Sequence, residues 1–303
     1  MRVLVFGAGA VGSVVAARLA DGHDVSLIAR ASHVRAIREH GLVLSGRTEK
    51  TVRNLAACSG VSELSREAPE YVLVTAKAHQ TEEAVRELSP YWGSSIFVSL
   101  QNGLGNEELM ARRAERVLGA VINQGAILLE PGRVFHAGEA TTEIGPFQGT
   151  SLADAGVLAR VLDEAGIRAR AVADIRPPMW RKVVLNAAVN PLTALLGKKT
   201  GELLHDPELE AAMAEIVQES VAIARASGVE LEAGEILEAI REVARATPEN
   251  RSSMLQDLER GRPTEIDFIN GELARRARAM GLDAPRNELL TRLVRAARPP
   301  DSR

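Results

Sequence analysis

The chain has 303 residues, with 37 Lys and Arg against 40 Asp and Glu, so its net charge of −3 gives no basic field for nucleic acid or an anionic membrane. A chain this long buries a large core and is expected to divide into two domains. One cysteine, Cys58, excludes an intrachain disulfide, and six histidines show no metal-ligand spacing; a reducing, cytoplasmic setting without a metal is expected.

Residues 2–6 form a short β-branched and apolar run that leads straight into glycines, which does not suit a signal peptide. The longest apolar stretches fall short of the ~20 residues that span a bilayer, so no membrane segment is expected. The chain turns through Gly7, Ala8, Gly9, Ala10, Val11 and Gly12 into an apolar helix ended by Gly22, and a second strand follows at 24–29. G-x-G-x-x-G alone is a weak pattern, but between a strand and a helix it marks a Rossmann-type dinucleotide site. Gly7 is expected to make the tight turn, Gly9 to let backbone approach a pyrophosphate, and Gly12 to let the helix pack on the strand. The helix N-terminus then offers free N–H groups to phosphate. A glycine turn with no ligand is the alternative.

Cofactors with a free ribose 2′-hydroxyl are met by an acid about 20 residues after the glycines. Here Arg30 stands at that place, followed by Ser32, His33 and Arg35, a cluster suited to a 2′-phosphate that Arg can bind bidentately. NADP(H) is therefore expected over NAD(H); the alternative is a solvated arginine at a strand end.

Buried-type strands at 71–75 and 95–100 run into Ala76-Lys77-Ala78-His79-Gln80 and Gln101-Asn102-Gly103-Leu104-Gly105. Two shorter β-like runs lie near 134–136 and 141–145, and a helix–strand pair over 152–173 closes the region. This rhythm predicts an α/β fold, a doubly wound and mostly parallel N-terminal sheet with helices on both faces. Ligands of such sheets bind beyond the carboxyl ends of the strands, where Lys77 and Asn102 sit. A solvated lysine and a plain turn are the alternatives.

From Pro177 the pattern becomes all-helical, with 3.6-residue periodicity near 178–196, 207–227, 232–246, 250–260, 264–280 and 286–297. Gly228, Thr247-Pro248 and Gly281 mark breaks, and residues 298–303 read as a frayed polar tail. The expected division is a nucleotide-binding domain over 1–174 and a helical substrate domain over 175–303. The Ala- and Leu-rich helix 207–227 suits a homodimer interface or internal packing equally.

Residues 180–191 carry the most information. Past Arg181 the run is apolar except for Lys182, Asn186 and Asn190, which are four apart and so share one helical stripe. The helix is expected to be buried with one thin polar seam, whose ammonium and amides need a polar partner such as a ligand. An ordinary exposed edge is the alternative. A lysine partly buried there has its pKa lowered, which suits an acid working near neutral pH.

Across nearly the whole chain the residues resemble the ketopantoate reductase (2-dehydropantoate 2-reductase) family. The carriers are the glycine loop, Lys77-Ala78, Asn102-Gly103, Trp180-Arg181-Lys182 with Asn186 and Asn190-Pro191-Leu192-Thr193-Ala194, the block 252–257, and the block 264–271. The resemblance implies NADPH-dependent reduction of a small-molecule 2-keto acid, 2-dehydropantoate, to (R)-pantoate on the way to pantothenate and coenzyme A. It implies Lys182 as the general acid, and Glu265 as acceptor of a hydrogen bond from the substrate hydroxyl and a neighbour of the cofactor. It implies that Asn186, Asn190, Asn250 and Ser253 hold the substrate with Lys182, and that Lys77, Asn102 and Gly125 contact the cofactor beside the glycine loop. The chemistry agrees, because hydride addition builds negative charge on a ketone oxygen and a cation aimed there stabilises the transition state.

Taken by themselves, Thr264 reads also as an N-cap with Glu265 in a first helical turn, and Ser252-Ser253 as a cap. Two positions depart from the family pattern. Thr200, in Lys199-Thr200-Gly201-Glu202-Leu203, stands where Asn is usual and bears on substrate preference; His79 stands where an aromatic such as Trp can occur. The rival readings are a reductase of another branched 2-keto acid, a β-hydroxyacid or 6-phosphogluconate-type dehydrogenase, and a non-catalytic NADP(H)-binding sensor. The 252–253 and 264–267 blocks oppose the second, and the joint presence of Lys182 and Glu265 opposes the third.

Overall fold

The computed structural model describes residues 1–64 and 67–297; the expected polar tail over 298–303 lies outside the described residues. The chain falls into two compact units, Met1–Gln101 with Asn106–Ile175, and Asn102–Gly105 with Arg176–Arg303.

The first unit opens with β1 (Arg2–Phe6), α1 (Ala10–Leu19), β2 (Asp24–Ile28) and α2 (Ala31–His40). Three short strands follow, β3 (Leu42–Gly46), β4 (Lys50–Val52) and β5 (Ala56–Cys58), then β6 (Tyr71–Val74), α3 (Thr81–Glu87), β7 (Ile96–Ser99) and α4 (Asn106–Ala111). The unit closes with β8 (Arg116–Glu130), β9 (Arg133–Gln148), α5 (Leu152–Glu164) and β10 (Ala169–Ala171). Among the described residues these strands form one sheet in the order β4-β3-β9-β8-β7-β6-β1-β2-β5, with β10 on β9. The run β5-β2-β1-β6-β7-β8 is parallel throughout. It is the doubly wound order, with its switch point between β1 and β6.

Burial on both faces explains why these strands read as continuous apolar runs. In β1, Val3 and Val5 join one core with Val14, Val15 and Leu19 of α1 and Leu158 of α5. Leu4 and Phe6 join the other with Ala84 and Val85 of α3 and Met110 of α4.

Three sequence expectations are corrected here. The two short β-like runs near 134 and 141 are one strand, β9, paired antiparallel with β8. Register shifts near Val121, Gly125 and Leu128 break the two-residue alternation by which such a ribbon is recognised. The short strands β3, β4 and β5 went unforeseen, and α1 ends at Leu19 rather than Gly22, because the Ala20 N–H closes it on the Ala16 carbonyl.

The second unit holds α6 (Arg176–Leu196), α7 (Pro207–Ala226), α8 (Ala233–Ala246), α9 (Ser253–Glu259), α10 (Asn270–Ala279) and α11 (Pro285–Ala297). Gly228 and Gly281 follow α7 and α10 with φ of 78° and 73°, the left-handed turn that ends a helix. The helix expected over 264–280 divides into a 3-10 turn at Ile266–Phe268 and α10, with Ile269 outside helical geometry between them.

Pro191 lies inside α6 and cannot donate to the Ala187 carbonyl. Asn270 Nδ2 donates to that carbonyl instead (3.0 Å) and also to Asn287 Oδ1 (3.0 Å). Asn287 Nδ2 in turn donates to Glu219 Oε1 (2.8 Å) and Ser220 Oγ (3.2 Å). A buried polar chain thus links α6, α10, α11 and α7. Among the described residues no helix is long and apolar enough to cross a membrane.

Candidate active site

The glycine loop sits at the switch point of the first unit. Gly7 has φ 81°, and the N–H groups of Gly7 and Ala8 both donate to the Ile28 carbonyl (3.0 and 2.9 Å), which ties the loop to β2. A Cβ on Gly7 would lie 2.5 Å from the Ala76 backbone; one on Gly12 would press on the Thr75 side chain and lie 3.3 Å from Val5 Cγ1. Gly9 differs, because a Cβ there would meet only the Gly7 carbonyl at 3.9 Å. Gly9 also begins α1 with no side-chain cap and no acid in the first turn. Among the described residues no N-cap side chain satisfies the first-turn N–H groups of Ala10, Val11 and Gly12, and room lies beside Gly9; both features fit a pyrophosphate.

Arg30 lies just past β2 at the cap of α2 and is exposed, as are Ser32 and Arg35. His33 is not part of that surface. It is buried, its Nδ1 accepts from the Gly132 N–H (2.8 Å), and Nε2, which must then carry the proton, donates to Ser13 Oγ (3.0 Å). Burial holds its pKa below the usual value, so His33 is a neutral strut rather than a phosphate ligand. Lys77 follows β6, half-buried, with exposed His79 in the next turn. Gly125 is exposed in β8 at a register shift, and a Cβ there would lie 3.4 Å from the Gly138 nitrogen.

In the second unit α6 has the form its sequence suggested. Lys182 and Asn186 are half-buried and Asn190 is 8% exposed, while Val183, Val184, Ala187, Ala188 and Val189 beside them are buried. Burial pushes the Lys182 ammonium down to about 8, against the Glu265 carboxylate, which pulls it up. Glu265 is 5% exposed, and its Oε2 accepts from Asn102 Nδ2 (3.1 Å).

Asn102 stands beyond β7, but its segment docks on the turn that carries Glu265. The Leu104 N–H donates to the Phe268 carbonyl (2.9 Å), and Gly103, with φ 94°, leaves no room for a Cβ, which would lie 2.5 Å from that oxygen. Sequence reasoning missed this docking; the glycines at 103 and 105 were its only local sign.

Thr264 is no α-helical cap. Its hydroxyl accepts from the Ile266 N–H at 3.4 Å, and Glu265 precedes a 3-10 turn, so a first-turn dipole role does not account for the acid. Ser252 and Ser253 divide the two readings between them. Ser252 is the buried cap of α9, accepting from the Leu255 N–H (3.1 Å), whereas Ser253 is exposed. Asn250 is exposed, and its carbonyl accepts from the N–H and hydroxyl of buried Thr200 (2.9 and 3.1 Å).

This unit therefore offers an ammonium of depressed pKa in the field of a buried carboxylate, with amides and a hydroxyl on the same helices and turns. Such a set can protonate an oxygen that gains charge and can hold hydroxyl or carboxylate groups. Among the described residues no cluster of His, Cys, Asp and Glu could hold a metal ion.

Comparisons with known proteins point the same way. The family model described as "Ketopantoate reductase PanE/ApbA" matches residues 3–149, and that for its C-terminal part matches 174–298. A 2-dehydropantoate 2-reductase of Archaeoglobus fulgidus is 39% identical over 97% of this chain and 97% of its own. The crystal structure of a PanE/ApbA family ketopantoate reductase from Ralstonia eutropha JMP134 superposes with a TM-score of 0.90 at 35% identity, covering 98% of each chain. A D-mandelate dehydrogenase solved with NADH and anilino(oxo)acetate gives the same TM-score at 28% identity, also over 98% of each chain. With both of its units matched by the family models and its length shared with these relatives, the chain belongs to the ketopantoate reductase family.

Proposed function

We propose that this protein is a cytoplasmic NADPH-dependent reductase that converts 2-dehydropantoate to (R)-pantoate. The observation that carries the reading is Lys182, an ammonium brought by burial to about 8 and coupled to the buried Glu265. Residues 1–174 hold the cofactor and 175–303 hold the keto acid. The glycine loop and first turn of α1 take the pyrophosphate, Arg30 the 2′-phosphate, and Lys77, Asn102 and Gly125 further parts of the cofactor. NADPH, when bound, supplies the hydride. Lys182 then protonates the oxygen on which charge develops, and because that charge is absent from the ground state, the lysine lowers the barrier more than it tightens binding. Glu265 accepts a hydrogen bond from the substrate hydroxyl. Asn186 and Asn190 continue the Lys182 stripe toward the substrate, and Asn250 and Ser253 complete its recognition.

Lys182→Ala is expected to lower kcat by about 10²-fold or more with NADPH affinity nearly unchanged, as for loss of a general acid. Near-wild-type turnover in that variant would remove Lys182 from the mechanism. A second reading keeps the mechanism with another 2-keto acid. It is favoured by the likeness to D-mandelate dehydrogenase and by Thr200, whose hydroxyl is engaged with the Asn250 carbonyl. Specificity constants for 2-dehydropantoate, 2-ketoisovalerate and the keto acid of mandelate separate the two.

A further inference from the structure

Asn250 and Ser253 lie where the chain crosses from the end of α8 to the start of α9, in a turn with no ladder or full helix to hold Asn250. Two threonines close this turn at its ends. At one end Thr200, 4% exposed, donates to the Asn250 carbonyl from both its N–H and its hydroxyl (2.9 and 3.1 Å). Its neighbour Gly201 donates to the Pro248 carbonyl (3.1 Å), and a Cβ on Gly201 would lie 2.7 Å from Pro248 Cα, so the two backbones touch. At the other end Thr193, wholly buried on α6, donates its one hydroxyl proton to the Asn190 carbonyl (2.9 Å), and its oxygen accepts from the Ser252 hydroxyl (2.7 Å), which caps α9 through the Leu255 N–H. One side chain thus joins the end of the α6 polar seam to the residue before Ser253.

We propose that Thr193 and Thr200 are positioning residues for keto-acid binding, fixing the Asn250–Ser253 turn at both ends and so setting where the Asn250 amide and the Ser253 hydroxyl stand. This rests on the assignment of Asn250 and Ser253 to the substrate given above. Each threonine acts through the residue it holds. A turn ordered in advance loses little freedom on binding, whereas a released turn must be ordered by the substrate itself. The cost falls on substrate binding and leaves the proton transfer from Lys182 untouched, so it is read in KM rather than kcat.

Thr193→Val and Thr200→Val keep the branched shape and delete the hydroxyl; Thr193→Ser and Thr200→Ser restore it. Two readouts on the full chain test the proposal: amide hydrogen exchange over residues 248–256, and steady-state kinetics with whichever 2-keto acid the wild type reduces best. Each valine variant is expected to exchange faster over 248–256 with α7 unchanged, and to raise KM by roughly 5–20-fold with kcat within about twofold, the worth of one buried hydrogen bond. The serine variants return both readouts toward wild type. Unchanged exchange in both valine variants overturns the positioning role, and faster exchange at unchanged KM overturns its link to binding. Faster exchange in α7 as well marks general destabilisation; the serine variants then decide, and failure to recover KM overturns the proposal. A wild-type protein inert toward every 2-keto acid is a different failure: it overturns the proposed function, and exchange still decides whether the threonines hold the turn.

Discussion

Lys182, the proposed general acid, ties stability to chemistry in one side chain. Its ammonium is disfavoured by burial more than Glu265 favours it, so its pKa falls from 10.5 to about 8. As a general acid it works only when protonated. The kcat/KM of the proposed reduction is therefore expected to hold at lower pH and to fall as pH rises through about 8, rather than near the ordinary lysine value; a profile flat to pH 10 would exclude it as the acid. Stability has its own sign. The native state binds fewer protons than the unfolded chain between about 8 and 10.5, so the penalty of the buried charge is present in full below that window and is relieved as pH rises through it. Lys182→Met is thus expected to remove this rise of stability between about pH 8 and 10.5, and to lower kcat by about 10²-fold or more.

At the scale of elements the glycine loop separates folding from binding. Gly7→Ala forces a Cβ at φ 81° against Ala76, and Gly12→Ala drives one into Thr75; both are expected to lower Tm. Gly9→Ala meets only the Gly7 carbonyl at 3.9 Å, so it is expected to lower Tm less than the other two and to weaken NADPH binding. A Gly9→Ala variant with unchanged Kd would place the pyrophosphate elsewhere. Pro191 and Asn270 make a second test. Asn270→Ala leaves the Ala187 carbonyl and Asn287 without its amide, expected to cost about 2 kcal/mol in chemical denaturation. The cost should shrink in a Pro191→Ala background, where the new backbone N–H can reach Ala187; an additive pair would break the link.

These elements were unequally legible in the sequence. The α6 seam was plain because three polar residues at helical spacing stand against apolar flanks, and β1-α1-β2 because a local pattern carries a local fold. The β8–β9 ribbon was hidden by its register shifts. The junction of Asn102 with Glu265 joins residues 163 apart in the chain, and Thr200 with Asn250 joins residues 50 apart; no local pattern encodes such meetings. His33 misled because a polar residue beside an arginine reads as surface until its burial is known.

For the whole molecule, each of the two units is matched by a model of the ketopantoate reductase family. The family gives the reaction class, and the chain's own residues, Arg30 above all, give the expected preference for a 2′-phosphorylated cofactor. The most direct measurement is the loss of NADPH absorbance on adding 2-dehydropantoate to the purified protein, run beside 2-ketoisovalerate and with NADH in place of NADPH. Fast turnover with 2-dehydropantoate and NADPH, and much slower turnover in either control, is the result expected. No oxidation of NADPH with 2-dehydropantoate would contradict the proposed function.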